Sequence, residues 1–396
     1  MISSMRPLAI IALLLACGLG AAAQFAKIAV PFEAVRALYP EAGDATGWLL
    51  SGVGLVGMLF GIVAGSLVAR IGAVRVLLGG VALGALMSAV QAFGLPFGWL
   101  LASRLVEGAS HLALVVAIPT LIGTLAAPRW RGFALAAWST VFGITFAAFA
   151  FIVPPLFEPV LVGLAPGGAT PAPFDPFAAL MIGHAAWFVA VGLALAVALR
   201  GLGHLGRDGA ATPGGLFMQH RRAYRTIDIA APGIGWLFYA FAFVALLALL
   251  PPFFDPSLRA PVAAAMPLLA VATSLIAVPL LLLVMRATRL VATGFLGSAL
   301  TIAAMLADLP LEAAALALFA VFGLVQGASF AAVPQRNANE TDRALAFGVI
   351  AQLGNVGTLT GTPALLAVMA IGGLPALLGT VAALLLAAAV LTWRTG

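Results

Sequence analysis

Twelve long apolar runs separated by short turns are the feature that most limits what this chain can fold into. The runs lie near residues 7–30, 46–69, 76–93, 99–124, 133–155, 178–199, 232–250, 262–285, 290–307, 313–333, 345–368 and 375–393. An α-helix needs about 20 such residues to cross a bilayer. Charged residues make up 8% of the chain, too few to cover the surface of a soluble protein. The sequence therefore predicts an all-α membrane protein with twelve transmembrane helices.

The first run has an alternative interpretation as a secretory signal. Arg6 precedes the apolar stretch Leu8–Leu15, and small residues follow before Gln24, as in a cleavable signal peptide. Residues 14–17 also resemble a lipoprotein cleavage box. The apolar run continues to Val30, which is longer than a signal core, so we predict a retained first helix.

The basic residues predict the orientation of the chain. Fifteen of its nineteen Lys and Arg residues fall in one set of loops, and only Arg36 and Arg259 fall in the opposite set. Cytoplasmic loops carry an excess of Lys and Arg. We therefore expect a multi-pass protein of a bacterial-type inner membrane with both termini cytoplasmic. The net charge of +6 then mostly reflects this orientation in the lipid bilayer. No nucleic-acid partner is expected, because no loop has the interleaved aromatic and basic residues of a nucleic-acid binding face.

The longest polar stretch divides the chain into halves of six runs each. We predict an N-terminal bundle at 1–200, a cytoplasmic linker at 201–230 and a C-terminal bundle at 231–396. The linker could lie on the membrane surface through three arginines, which are Arg221, Arg222 and Arg225.

The two halves also repeat each other in sequence. The hexapeptide at 105–110 reads LVEGAS and recurs as LVQGAS at 324–329, an offset of 219 residues, and Pro31 matches Pro251 at an offset of 220. Six helices in each half give both halves the same orientation. The sequence predicts a parallel repeat about an axis along the membrane normal.

Several short motifs resemble those of the major facilitator superfamily of transporters. The loop between the second and third runs has the glycines and arginines of a family motif, namely Gly65, Arg70, Gly72 and Arg75. Arg104 and Gly108 in the fourth run match a second family motif. The resemblance covers the whole chain, with a looser similarity to the cyanate-transporter-like branch. It implies two pseudo-symmetric six-helix bundles, a conformational-switch role for the loop and no enzymatic activity. Ala69 stands where the family usually has Asp, so the usual charge relay of that loop lacks a member.

Few ionisable residues lie at bilayer depth, where each charge costs about 2.5–3.5 kcal/mol and by default suggests function. Arg104, Glu107 and His111 share one helical face of the fourth run, and Gln24 and Lys27 share a face of the first run. The resemblance implies that these two runs line a central cavity. We predict substrate binding by Gln24, Lys27 and Arg104, and proton coupling by Glu107 and His111. The alternatives are a structural ion pair of Arg104 with Glu107, a Lys27 that reaches the outer surface, and a hydrogen-bonded core histidine.

The second half offers neutral candidates for substrate contact. These are Tyr239 in the seventh run, Gln326 in the tenth, and Gln352 and Asn355 in the eleventh, with Trp138 of the fifth run as a further candidate. Packing and interhelical hydrogen bonds are the competing interpretations of these side chains.

The sequence thus predicts a monomeric secondary active transporter that moves a small organic anion coupled to protons by alternating access. One alternative is an exporter of drugs or amphipathic metabolites that depends on Glu107, and another is a non-transporting membrane assembly factor.

No phosphate-binding loop is present, and no cofactor is predicted. No metal is expected either, because the histidines fall on separate segments, at His111, His184, His204 and His220.

Overall fold

The computed structural model describes residues 2–157, 175–203, 205, 215–307 and 309–395. Helices dominate these residues, and none of them belongs to a β-strand. Part of the predicted linker, at 206–214, and the predicted loop at 158–174 lie outside the described residues, as does His204.

The membrane-length helices are numbered α1–α12 in chain order. Their bounds are α1 Ile2–Ala29, α2 Trp48–Ile71, α3 Ala73–Gln91, α4 Phe97–Leu125, α5 Pro128–Ser139 with Val141–Ile152, α6 Pro176–Ala198, α7 Ile227–Leu249, α8 Arg259–Leu281, α9 Ala287–Leu306, α10 Leu311–Arg336, α11 340–371 and α12 374–395. The prediction of twelve membrane helices is confirmed.

Two of these spans are interrupted. The two parts of α5 meet at Thr140 with a bend of 40°. Helices α11 and α12 form one continuous run of 56 residues except at Gly372 and Gly373, which leave helical geometry. Gly373 has φ 64°, in the left-handed region that favours glycine, so this pair makes the turn between the last two spans.

Helix α7 begins five residues before the predicted start at 232. Asp228 lies in its first turn, where a negative charge stabilises the helix dipole, and Pro232 is accommodated inside the helix. The predicted run therefore began too late, at Pro232 instead of Ile227.

The helices pair in the same pattern in the two halves. In the first half α1 packs on α4 and α5, α4 also packs on α2 and α3, and α3 packs on α6. In the second half α7 packs on α10 and on α11, while α10 packs on α8 and α9. The predicted repeat is therefore present as a repeated packing arrangement.

The bundles meet where α2 packs on α11, where α5 packs on α8 and α10, and where α4 contacts the α11–α12 run. The α2–α11 crossing brings backbones together, because a Cβ on Gly61 would lie 2.6 Å from the carbonyl oxygen of Gly348, and one on Gly65 would lie 2.6 Å from that of Ala344. Both contacts lie toward the end of the molecule where α2 ends and α11 begins. We call this end, which carries Arg70 and Arg75, the arginine-rich end.

Short elements cover both ends of the first bundle. At the end opposite the arginine-rich end, helix Phe32–Leu38 buries Ala34 and Val35 in an apolar cluster with Ile28, Leu49 and Leu100. At the arginine-rich end, helix Leu216–Arg225 contacts α2, α7 and α11.

Candidate functional site

A cluster of charged and polar side chains lies inside the N-terminal bundle, contributed by α1, α3, α4 and α6. Lys27, Arg104 and Glu107 are its charged members, and each is fully buried with 0% exposure. Lys27 is two residues from the end of α1, so the cluster lies toward the end opposite the arginine-rich end. The sequence predicted this group of charges, and the structure adds their neighbours.

Lys27 donates to three acceptors on two other helices. Its Nζ lies 2.7 Å from Ser88 Oγ, 2.8 Å from Gln91 Oε1 and 2.6 Å from Glu107 Oε1. An ammonium group has three N–H donors and no acceptor. All three donors are therefore used, which fits a lysine held as a cation.

Glu107 receives hydrogen bonds on both of its carboxylate oxygens. Oε1 accepts from Lys27, while Oε2 accepts from Arg104 Nη1 and, at 2.9 Å, from Gln91 Nε2. Two cations thus share one carboxylate. With His184 and His111 neutral, the cluster has a net charge of +1 in an environment that removes charges from water.

Arg104 contributes the donor that the cluster does not satisfy. Its Nε donates to the carbonyl oxygen of Leu49 on α2 at 3.1 Å, and its Nη1 donates to Glu107. Its Nη2 is buried and has no hydrogen-bond partner among the described residues. The excess positive charge and the unpartnered donor thus belong to the same region.

His184 on α6 joins the cluster through Ser88. Its Nε2 lies 2.9 Å from the carbonyl oxygen of Gly20 and its Nδ1 lies 2.7 Å from Ser88 Oγ. A carbonyl only accepts, so Nε2 carries the proton, and in the neutral ring Nδ1 accepts the Ser88 hydroxyl. His184 was not among the predicted site residues, and neither were Ser88 and Gln91. Their i, i+3 spacing on α3 was the available signal.

The polar face of α1, which carries Gln24 and Lys27, packs inside the N-terminal bundle. Gln24 Nε2 donates to Ser110 Oγ of α4 at 2.9 Å, and Ser110 in turn donates to the carbonyl oxygen of Gly80 on α3. Gln24 and Lys27 do share a face, but in this conformation that face meets α3 and α4 and has no exposed surface. Lys27 also does not reach the outer surface, so that alternative is wrong.

His111 lies next to the cluster without a hydrogen bond to its charges. Its Nδ1 is 3.0 Å from the carbonyl oxygen of Ala21, and its ring packs edge-on against Phe25 and Phe142 at centroid distances of 4.9 and 5.7 Å. This arrangement corresponds to the hydrogen-bonded core histidine. Its assignment to proton coupling stays a prediction.

A second polar group connects the two bundles at the bend of α5. Tyr239 Oη donates to Gln326 Oε1 at 2.9 Å, and Gln326 Nε2 donates to the carbonyl oxygen of Ser139 at 2.8 Å. Ser139 is the last residue before the break at Thr140, where a helical carbonyl loses its usual partner. An amide of the C-terminal bundle therefore bonds a carbonyl that the bend leaves free.

Aromatic rings surround this connection. Trp236 stacks on Tyr239 with a centroid distance of 4.6 Å and contacts Phe330 at 5.0 Å, while Trp138 of α5 contacts Phe330 at 6.5 Å from the other bundle. Tyr239, Gln326 and Trp138 are thus brought together at the interface of the bundles. They lie apart from the charged cluster.

Gln352 and Asn355 lie on α11 where it crosses α2. Gln352 Nε2 donates to the carbonyl oxygen of Met58 at 2.9 Å, and its Oε1 accepts from Tyr224 of helix Leu216–Arg225 at 3.0 Å. Asn355 Nδ2 donates to the carbonyl oxygen of Ala351 within its own helix at 2.7 Å, and its side chain packs against Gly57. Both residues lie between the bundles and bond protein groups in this conformation.

The predicted switch loop forms the sharp connection between α2 and α3. Gly72 has φ 93°, a backbone conformation that requires glycine, and Arg75 Nη1 donates to the carbonyl oxygen of Ile71 at 3.0 Å. Arg70 lies at the end of α2, and Gly65 permits the close approach to α11. Ala69, in the position where the resemblance implies Asp, is buried.

Comparison with known proteins rests on three-dimensional structure alone, because no family model and no curated protein matches the sequence. The E. coli fucose:proton symporter FucP superposes with a TM-score of 0.69 at 15% identity, covering 98% of each chain. The human organic anion transporter MFSD10 (TETRAN) gives 0.68 at 14% identity, covering 98% of this chain and 99% of that one. A bacterial homologue of the iron transporter ferroportin, in an outward-facing state, gives 0.75 at 13% identity, covering 97% and 98%.

The chain therefore has the fold of the major facilitator superfamily, with twelve helices in two six-helix bundles. At 13–15% identity the likeness extends to the fold alone. The looser similarity to the cyanate-transporter-like branch stays a prediction.

Proposed function

We propose that this protein is a secondary active transporter that moves a small organic anion coupled to protons by alternating access. The fold supports the transport mechanism, because two six-helix bundles that rock against each other expose a central site to either side in turn. The charge distribution inside the N-terminal bundle carries the rest of the proposal. The protein acts as a monomer in a bacterial-type inner membrane, with both termini and the linker on the cytoplasmic side.

The excess of one positive charge is the observation that favours an anion. Lys27 and Arg104 together outnumber Glu107, and Arg104 Nη2 has no partner among the described side chains and carbonyls. A buried cation without a full complement of partners is costly. An anion near α1 and α4 offsets this cost. A guanidinium can hold a carboxylate through two parallel hydrogen bonds, which suits Arg104 for contact once the bundles move apart.

The interface between the bundles supplies the groups for the neutral part of the substrate. Tyr239 and Gln326 can exchange their mutual hydrogen bond for bonds to a carbonyl or hydroxyl of the substrate. Trp138, Gln352 and Asn355 extend this surface across both bundles. In this scheme Glu107 is the proton-coupling group, because its charge decides whether two neighbouring cations are compensated, and His111 borders the cluster.

The arrangement disfavours export of hydrophobic cations. Such an exporter would need a carboxylate that is available to the drug, whereas both oxygens of Glu107 are bonded by cationic side chains in this conformation. A non-transporting assembly factor predicts instead a stable protein partner and no response to small molecules.

A binding and uptake experiment tests the proposal. Purified protein is screened by thermal shift against a panel of monocarboxylates and hydrophobic cations, and the hits are used for uptake into proteoliposomes. We expect stabilisation by anions, and loss of uptake in Lys27→Ala and Arg104→Ala. Arg259→Ala, at an exposed position on α8, is the matched control and should transport normally. Intact uptake in both Lys27→Ala and Arg104→Ala would contradict the proposed anion site. Stabilisation by hydrophobic cations alone would favour the exporter.

A further inference from the structure

Helix Leu216–Arg225, which we call the linker helix, presents an exposed face that combines apolar and basic side chains. Phe217 and Met218 are 80% and 57% exposed, and Arg221 and Arg225 are also exposed. At 100° per residue these four side chains fall within an arc of about 100°. The opposite side of the helix carries Gln219 and Ala223, both buried against the protein.

The position of the linker helix limits what this face can meet. It ends at Arg225, and α7 begins two residues later at Ile227, so it lies where a membrane-crossing helix leaves the bilayer. Ile227, the first residue of α7, is itself exposed and apolar. Basic residues at this level meet lipid headgroups, and neighbouring aromatic or apolar side chains insert between them.

We propose that the linker helix is a binding site for anionic phospholipid of the surrounding bilayer. Arg221 and Arg225 bind the phosphate groups, while Phe217 and Met218 enter the headgroup and upper acyl region. The partner is the membrane surface and not a soluble phosphate compound, because an isolated phosphate would leave the two apolar side chains in water. This inference does not depend on which substrate the protein moves.

The site is connected to the crossing of α2 and α11. Arg222 Nη2 pairs with Asp342 Oδ1 of α11 at 2.6 Å, with 42% of the arginine side chain exposed, and Tyr224 donates to Gln352 at 3.0 Å. Gln352 in turn bonds the backbone of α2 at Met58. A lipid that fixes the linker helix therefore also holds α11 against α2, which stabilises the closed arginine-rich end.

Native mass spectrometry of the full-length protein tests the site. The protein is released from nanodiscs of equimolar phosphatidylglycerol and phosphatidylcholine, and the bound lipids are counted. We expect severalfold retention of phosphatidylglycerol over phosphatidylcholine. An Arg near an anionic surface contributes about 1 kcal/mol, so loss of two should abolish a severalfold preference, and the Arg221→Gln/Arg225→Gln variant should retain the two lipids about equally.

The control variant is Arg36→Gln/Arg259→Gln, which removes two exposed arginines from the end opposite the arginine-rich end. It should keep the wild-type preference, and all variants should have similar melting temperatures in phosphatidylcholine. An unchanged preference in Arg221→Gln/Arg225→Gln would overturn the proposal. Loss of bound lipid on adding inorganic phosphate at constant ionic strength would instead identify a soluble anion as the ligand, and would equally overturn it.

Discussion

At the residue scale, the balance of charge around Glu107 determines how the N-terminal bundle is held together. Lys27 from α1 and Arg104 from α4 both bond this carboxylate, and Gln91 of α3 bonds it as well. One acidic side chain therefore connects three helices. Removing it leaves two uncompensated cations, whereas removing Lys27 leaves one neutral pair.

This difference predicts an order of stability. Glu107→Gln raises the net charge of the cluster from +1 to +2 and should cost about 3–5 kcal/mol, the usual result of breaking a buried pair. Lys27→Met lowers the net charge to zero and should cost less. Thermal unfolding in one lipid composition measures both. Glu33→Gln, whose side chain is 77% exposed beside Arg36, should melt like the wild type. A Glu107→Gln protein at least as stable as Lys27→Met would contradict the charge assignment.

Sequence reasoning at this scale found the charges but not their partners. The spacing of Gln24 and Lys27, and of Arg104 and Glu107, gave the correct shared faces. Helical periodicity identifies a face without saying which helix covers it, so the prediction of a cavity beside Lys27 did not foresee the contacts with α3. Ser88, Gln91 and His184 lie on α3 and α6, and only the packing of those helices brings them to Lys27.

At the element scale, the crossing of α2 and α11 depends on glycines. Gly61 and Gly65 of α2 and Gly348 of α11 allow contact between helix backbones, and a Cβ on Gly348 would lie 2.7 Å from the carbonyl oxygen of Gly61. The resemblance to the family implies an Asp at position 69, whose charge would help to close this end. Here Ala69 is buried, and backbone packing with the Gln352–Met58 hydrogen bond joins the helices instead.

Gly61→Ala should therefore open the arginine-rich end, because the added methyl would meet the Gly348 carbonyl at 2.6 Å. The measurement is maleimide labelling of a cysteine at the buried position Ala344, in a Cys17→Ser background. Gly79→Ala on α3 is the matched control, since a Cβ there has no neighbouring atom within 4 Å. We expect several times faster labelling in Gly61→Ala only. Equal rates in the two variants would show that the glycine contact does not hold this end closed.

The elements themselves were predictable in number and approximate extent. The apolar runs located the spans to within a few residues, including the gap that contains Gly372 and Gly373. The bend of α5 at Thr140 was not predicted, because the run 133–155 is predominantly apolar and contains no proline near the break. At the break, Gln326 of the other bundle donates a hydrogen bond to the carbonyl oxygen of Ser139, a contact that the local sequence does not reveal.

At the scale of the whole molecule, the two bundles share a packing pattern but differ in charge. Glu107 and Gln326 are equivalent in the repeated hexapeptide, and each bonds the first helix of its own bundle, at Lys27 and Tyr239 respectively. The first bundle is thus ionic at this position and the second is neutral. We infer that the N-terminal bundle carries the coupling charge, while Gln326 reaches across to the backbone of α5.

We propose that a proton gradient drives anion movement through the Glu107 cluster. The most direct measurement is uptake of a stabilising monocarboxylate into proteoliposomes with and without an imposed pH gradient, for wild type and folded Glu107→Gln protein. We expect the wild type to accumulate the anion when a pH gradient is imposed. Glu107→Gln should at most equilibrate the anion, to the same level with and without the gradient. Two results would contradict this proposal. One is accumulation by Glu107→Gln that still depends on the pH gradient, and the other is wild-type uptake that does not change with the gradient.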